Sequence, residues 1–233
     1  MKKKFIWGGA IILVILVIAL LLVKLEWKKN PEKSSSDLAT VVKAESFAPA
    51  SQPTISDKEK IVGSIKAPVK VLVYEDYSNV FSADNSEVIK KMESEFGDKV
   101  VVAVRPYVSR EKPISISAAI AVECASDQGK WQDMRADIFN AVKNNNLSVE
   151  GIKAAAGQIG LDQAKFGECL TSPEKQGIML QVAEDAKKFS VYGAPTIFVN
   201  NELVVGARPY DDYLDESGAK VEGLKSLVER QIK

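Results

Sequence analysis

The sequence predicts an α/β domain whose mixed sheet is covered on both faces, with a helical block set between two β-rich halves and one N-terminal transmembrane helix ahead of them. Three observations carry that prediction. An apolar run at 69–74 passes quickly into a helical pattern, and a second apolar run follows at 99–105, the strand-helix-strand order of a parallel crossover. Amphipathic helical patterns then fill about 113–188 before two short strands and a last helix appear. Residues 5–23 are continuously apolar, close to the ~20 that span a bilayer.

The apolar segment follows Lys2, Lys3 and Lys4 and is flanked by Trp7 and Trp27, as interfacial aromatics are. It exceeds a signal-peptide core of about 7–15 residues, and no small-x-small cleavage site follows Val23, so an uncleaved anchor is favoured over a removed signal. Lys24, Lys28, Lys29 and Lys33 balance the leading lysines, so charge alone does not set the orientation. A short tail before a long domain favours the N-terminus inside, because long domains translocate largely regardless of charge. The expected organisation is a cytoplasmic tail at 1–4, an anchor in the lipid bilayer at 5–23, a flexible linker at 24–59 and an extracytoplasmic domain at 60–233 in a single-pass cell-membrane protein. Pro31, the serines at 34–36, Pro49 and Pro53 give the linker its lack of periodicity.

Within the domain, residues 60–64 read as an extended piece and 69–74 as a buried strand. Val88, Ile89, Met92 and Phe96 share a helical face, and Gly97 stops that helix. Pro106 ends the second strand. Ile116, Ile120 and Cys124 mark a helix over 115–127, and Met134, Ile138 and Val142 one over 131–142. Ser148 caps a helix that Gly160 ends, Asp162 caps one carrying Phe166, Cys169 and Leu170, and Ser172-Pro173 opens another with Ile178, Val182 and Ala186 on one side. Strands at 196–199 and 203–205 are joined by Asn200-Asn201-Glu202, turn residues suited to positive φ. Residues 215–219 loop out before a final helix with Val221, Leu224, Leu227 and Val228 on its apolar face.

Composition narrows the function. Lys plus Arg and Asp plus Glu are both 31, so the basic footprint of a nucleic-acid binder is missing. The chain has no histidine, which removes the commonest general base and the commonest zinc ligand and excludes Ser-His-Asp and Cys-His mechanisms. No cofactor or metal is implied: the acidic residues Asp211, Asp212, Asp215 and Glu216 lack the spacing of a calcium loop and read as a solvated face. Cys124 and Cys169 lie on apolar faces of separate helices and read either as a pair or as two buried thiols.

The order of elements, with Ala67-Pro68 before the first long strand, Tyr74-Glu75-Asp76-Tyr77 after it, Ala121 to Ala125 and Asp127 to Trp131 in the middle helices, Gly193-Ala194-Pro195-Thr196 and Gly206 to Tyr210, resembles the DsbA-like branch of the thioredoxin superfamily. The resemblance covers about 61–232 and implies a thioredoxin-like fold with an inserted helical block. It also implies that Pro195 is cis, that Glu75 holds the place of an acidic group beneath the site, and that Cys124 and Cys169 form a structural disulfide clamping the insert. The family's Cys-X-X-Cys falls on Asn79-Val80-Phe81-Ser82, which lack thiols, so a mechanism that needs one thiolate to attack and another to resolve is not carried over. What carries over is a peptide groove formed by Asn79, Val80, Phe81, Ser82, Ala194, Pro195 and Thr196, fitted to an extended polypeptide or membrane-protein partner. The reading is a binding or scaffold module without redox-active cysteines. The competing reading is an enzyme, a thiol-disulfide oxidoreductase or isomerase acting in extracytoplasmic protein folding. Identity of the partner and the oligomeric state are left open.

Overall fold

The computed structural model describes residues 52–232. The expected tail at 1–4, the transmembrane segment at 5–23 and the linker up to residue 51 lie outside the described residues. Among the described residues no helix is long and apolar enough to cross a membrane.

A five-stranded sheet has the order β1-β3-β2-β4-β5, built from β1 (Lys60–Val62), β2 (Val69–Glu75), β3 (Val100–Pro106), β4 (Thr196–Val199) and β5 (Glu202–Val205). β2 and β3 are parallel, with Val69 opposite Val100 and Glu75 opposite Pro106. The crossover between them is α1 (Val80–Phe96). β1 and β4 run antiparallel to their neighbours, and β5 returns from β4 as a hairpin. Asn200 takes φ 48 in the two-residue turn of that hairpin, as the turn residues imply.

The period-two side-chain alternation of β2 explains its two-sided burial. Val69, Val71 and Val73 enter the main core with Val100, Val102, Val104 and Ile197, while Leu72 and Tyr74 face a smaller cluster with Ala103, Phe198 and Val191. A strand buried on both faces reads as a nearly continuous apolar run, which is what the sequence shows.

The insert consists of α2 (Pro113–Ser126), α3 (Trp131–Lys143), α4 (Val149–Gln158), α5 (Gln163–Leu170) and α6 (Pro173–Ala186). Ser148, Asp162 and Ser172 cap α4, α5 and α6 by accepting from backbone N–H groups inside the first turn. Cys124 in α2 and Cys169 in α5 are joined by a disulfide with Cα atoms 5.8 Å apart. In the loop-entropy picture, closing a loop of sequence separation 45 stabilises by up to about 4 kcal/mol.

Three local expectations are corrected. α6 buries Met179, which the predicted face leaves out, and exposes Ile178, while Val182 is half-buried and Ala186 is buried as that face implies. Val221 belongs to β7 (Lys220–Val221), which pairs with β6 (Tyr213–Leu214) around the predicted loop; the last helix, α7, is Leu224–Ile232. Two-residue strands carry too little pattern to be seen in sequence. Residues 52–59, assigned to the linker, are docked: Arg105 donates to the Thr54 carbonyl at 2.6 Å and to both carboxylate oxygens of Glu59, and Ile55 packs on the smaller cluster. Residues 60–62 form an edge strand, in keeping with the extended piece read there. Gly63 beside it has φ 91, and a Cβ there would lie 2.5 Å from the Val100 carbonyl oxygen, so only glycine fits.

Candidate functional site

The end of β2 delivers Glu75, Asp76 and Tyr77 beneath the N-terminus of α1. Glu75 is fully buried, and its two carboxylate oxygens accept from Arg135 Nη2 at 2.6 Å and Nε at 2.8 Å. Arg135 comes from α3 and lies over the Phe139 ring, which in turn packs on Tyr77. Burial alone would favour the neutral guanidine, but the charge and hydrogen bonds of Glu75 hold Arg135 well above its ordinary range. Burial likewise pushes the Tyr77 phenol far upward. The Tyr77 hydroxyl and both polar atoms of the Asn85 amide are buried without a partner among the described residues.

Asp76 organises the turn. Its Oδ1 accepts from the Ser78 backbone N–H at 2.9 Å and from the hydroxyls of Ser78 and Ser115, both at 2.8 Å. Its backbone N–H donates to Ser82 Oγ at 3.3 Å. Ser82 is fully buried, so its hydroxyl serves the turn that precedes the helix. Asn79 has extended backbone geometry, and its Oδ1 accepts from the Phe81 N–H at 2.8 Å while its carbonyl accepts from Ala83 N at 3.0 Å. Asn79 is therefore the N-cap of α1. Between these two inward-serving residues, Val80 and Phe81 are exposed, Phe81 at 62%.

The Ala194–Pro195 bond is cis, as the resemblance implies. The Pro195 carbonyl accepts from Gly206 N at 2.9 Å, and Thr196 Oγ1 donates to the Gly193 carbonyl at 2.8 Å. Thr196 pairs with Tyr74, so the proline loop lies at the same end of the sheet as the junction from β2 to α1. Ala194 is half-buried, Pro195 and Thr196 are buried, and Tyr192 just before them is 74% exposed. On the side of the insert, Asn79, Val80 and Phe81 line an open groove of about 420 Å³ with Ser78, Lys112, Ile114, Val142, Asn145 and Leu147.

The cysteines are elsewhere. Cys124 is buried, and it is bonded to Cys169 within the insert. The acidic residues near the C-terminus are also engaged: Asp212 accepts from Gly223 N and pairs with Lys220, and Asp215 closes the β6–β7 turn. Hydrogen bonds from Ser226, Gly223 and Lys220 hold the Asp212 carboxyl well below the usual range.

Two residues at the centre of this arrangement escape a reading by sequence. Arg135 is spaced i, i+3 and i, i+4 from Ile138 and Phe139, both buried, and that position on an apolar face is the signal that could have found it. Ser115 carries no such signal; its contact with Asp76 spans 39 residues.

A sequence model of the thioredoxin family matches residues 56–215, more than two thirds of the chain. The chain belongs to the thioredoxin family. Solved structures with DsbA-like folds superpose on this thioredoxin-family domain. BdbD from Bacillus subtilis superposes with a TM-score of 0.66 at 20% identity, covering 79% of this chain and 98% of that one. Alpha-DsbA1 of Wolbachia pipientis gives 0.59 at 16% identity, covering 76% and 92%. A thioredoxin-like oxidoreductase from Silicibacter pomeroyi gives 0.58 at 20% identity, covering 75% and 92%. At these identities the likeness is one of fold. Among curated proteins, the Na(+)/H(+) antiporter NhaA 1 of Mycobacterium sp. (strain KMS) is 28% identical over 163 residues, 69% of this chain and 26% of that protein. The chain thus spans about a quarter of the length of the curated relatives it matches.

The 233-residue sequence of this thioredoxin-family chain contains no Cys-X-X-Cys. A capping carboxamide and a buried hydroxyl stand where the resemblance puts the thiols, and neither can attack a disulfide.

Proposed function

We propose that this is a membrane-anchored, extracytoplasmic thioredoxin-family domain that holds polypeptide without thiol chemistry. The observation that carries the reading is the division of labour at 79–82. Asn79 and Ser82 are spent on the helix cap and the preceding turn, while Val80 and Phe81 are presented to solvent at the end of the sheet that also carries the cis-proline loop. An extended chain can be held there by main-chain hydrogen bonds and apolar contact. A disulfide in the insert suits an oxidising compartment outside the cytoplasm. The apolar segment at 5–23 supplies the anchor.

The test is photo-crosslinking with the full chain. Ser82 is buried, so the reactive group belongs at the exposed position 81. A photoreactive phenylalanine analogue at 81 is expected to capture a denatured, carboxymethylated polypeptide. An analogue at the exposed Leu214, on the β6–β7 pair and outside the groove lining, is expected to capture none; equal capture at both positions would defeat the reading.

The second reading, a thiol-disulfide oxidoreductase, is favoured by the similar structures described as oxidoreductases or as thiol-disulfide exchange proteins. It would run through Cys124 and Cys169 or through thiols carried by a partner seated on this surface. Catalysed reduction of insulin that is lost in Cys124→Ser would establish it.

A further inference from the structure

The groove between the start of α1 and the insert has a polarity that specifies more than an apolar ligand. Its walls are Val80, Phe81, Ile114, Val142 and Leu147. Among the described residues, Lys112 is the only charged one lining it. Lys112 is exposed and makes no ion pair with a described residue, and no described carboxylate lines the groove to neutralise it. The groove also abuts the N-terminus of a 17-residue helix. Asn79 Oδ1 satisfies the Phe81 N–H there, while the Val80 N–H, which also lies at the groove, receives no capping side chain. That group and the helix dipole favour negative charge within the first turn. Cation and helix end thus act in the same direction on one apolar trough.

We infer that the groove selects an extended polypeptide segment in which a bulky apolar side chain is flanked by carboxylates. The apolar side chain packs against Phe81, Ile114 and Leu147, and a neighbouring carboxylate meets Lys112 and the start of α1. This rests on the polypeptide-binding reading and narrows it to a class of segment. The charge complementarity is between one unpaired cation and an anionic flank. Both are exposed to solvent, so the discrimination is modest and sensitive to salt.

The experiment measures fluorescence anisotropy of two labelled peptides against the full chain. Both carry a central leucine; one has glutamates on either side, the other lysines. At low salt the glutamate peptide is expected to bind about three- to fivefold more tightly, the difference shrinking at 0.5 M salt. Lys112→Glu should reverse the order, Lys112→Met should abolish the preference, and Phe81→Ala should weaken both peptides together. Lys112 and Phe81 are exposed, so these variants leave the core intact. Equal binding of both peptides, unaltered in Lys112→Glu, overturns the inference and spares the polypeptide-binding reading. Binding of neither peptide overturns both. Self-association of the full chain that Phe81→Ala removes, with no peptide bound, would assign the groove to a second copy and also overturn the inference.

Discussion

The buried pair Glu75–Arg135 offers the sharpest perturbation. Arg135→Ala removes a guanidinium that binds both oxygens of a carboxylate with no exposed surface. Truncating one partner of such a pair leaves an uncompensated buried charge and costs about 3–5 kcal/mol. The stacking of Arg135 on Phe139 is lost with it. For a typical domain stability of about 5–15 kcal/mol, that is a large share. With a urea m-value of about 2 kcal/mol/M, the midpoint should fall by about 1.5–2.5 M. The double variant Glu75→Gln/Arg135→Met keeps the volume and removes both charges. It should recover most of the loss, because burying the charges was itself costly. Urea unfolding of the full chain, followed by tryptophan fluorescence, measures all three proteins. A loss below about 1 kcal/mol in Arg135→Ala, or a double variant as unstable as the single one, would refute the reasoning.

Three further outcomes are expected. Thiol titration of the denatured, unreduced protein should find no free thiol, and two after reduction; Cys169→Ser should lower stability by up to about 4 kcal/mol. Gly63→Ala should cost about 1–3 kcal/mol, from strain at φ 91 and the approach to the Val100 carbonyl, and thermal unfolding would read it. Burial raises the Glu93 carboxyl above its ordinary range, with Arg135 lowering it and Glu75 raising it further. A raised acid penalises the folded state once it ionises, so the penalty grows as pH rises through the folded pKa and is absent below the unfolded one, about 4.3. Glu93→Gln should therefore raise the melting temperature at pH 7 and leave it unchanged near pH 3.

The sequence carried the scaffold well because the scaffold is made of repeating signals. β2 and β3 are apolar throughout, and a strand buried on both faces has to be. Caps at Ser148, Asp162 and Ser172 are local, so a few residues suffice to see them. The phase of α6 was less legible: Ile178 and Met179 are adjacent and both apolar, and it is Met179 that the core takes while Ile178 faces out. The site was half legible. Glu75 and Pro195 follow from the resemblance, but the partner of Glu75 lies 60 residues away, and nothing local joins them. Asn79 was read as the place of a missing nucleophile, whereas its extended φ and its bond to Phe81 N make it a helix cap. That role shows how the position keeps a structural purpose without a thiol.

A domain that binds without thiol chemistry turns over no dithiol. The direct measurement is dithiol oxidation by the full, oxidised chain, followed continuously against a protein-free blank. The expected rate is that of the blank, for the native chain and for Cys124→Ser alike. Oxidation above the blank that persists over many turnovers and disappears in Cys124→Ser would contradict it.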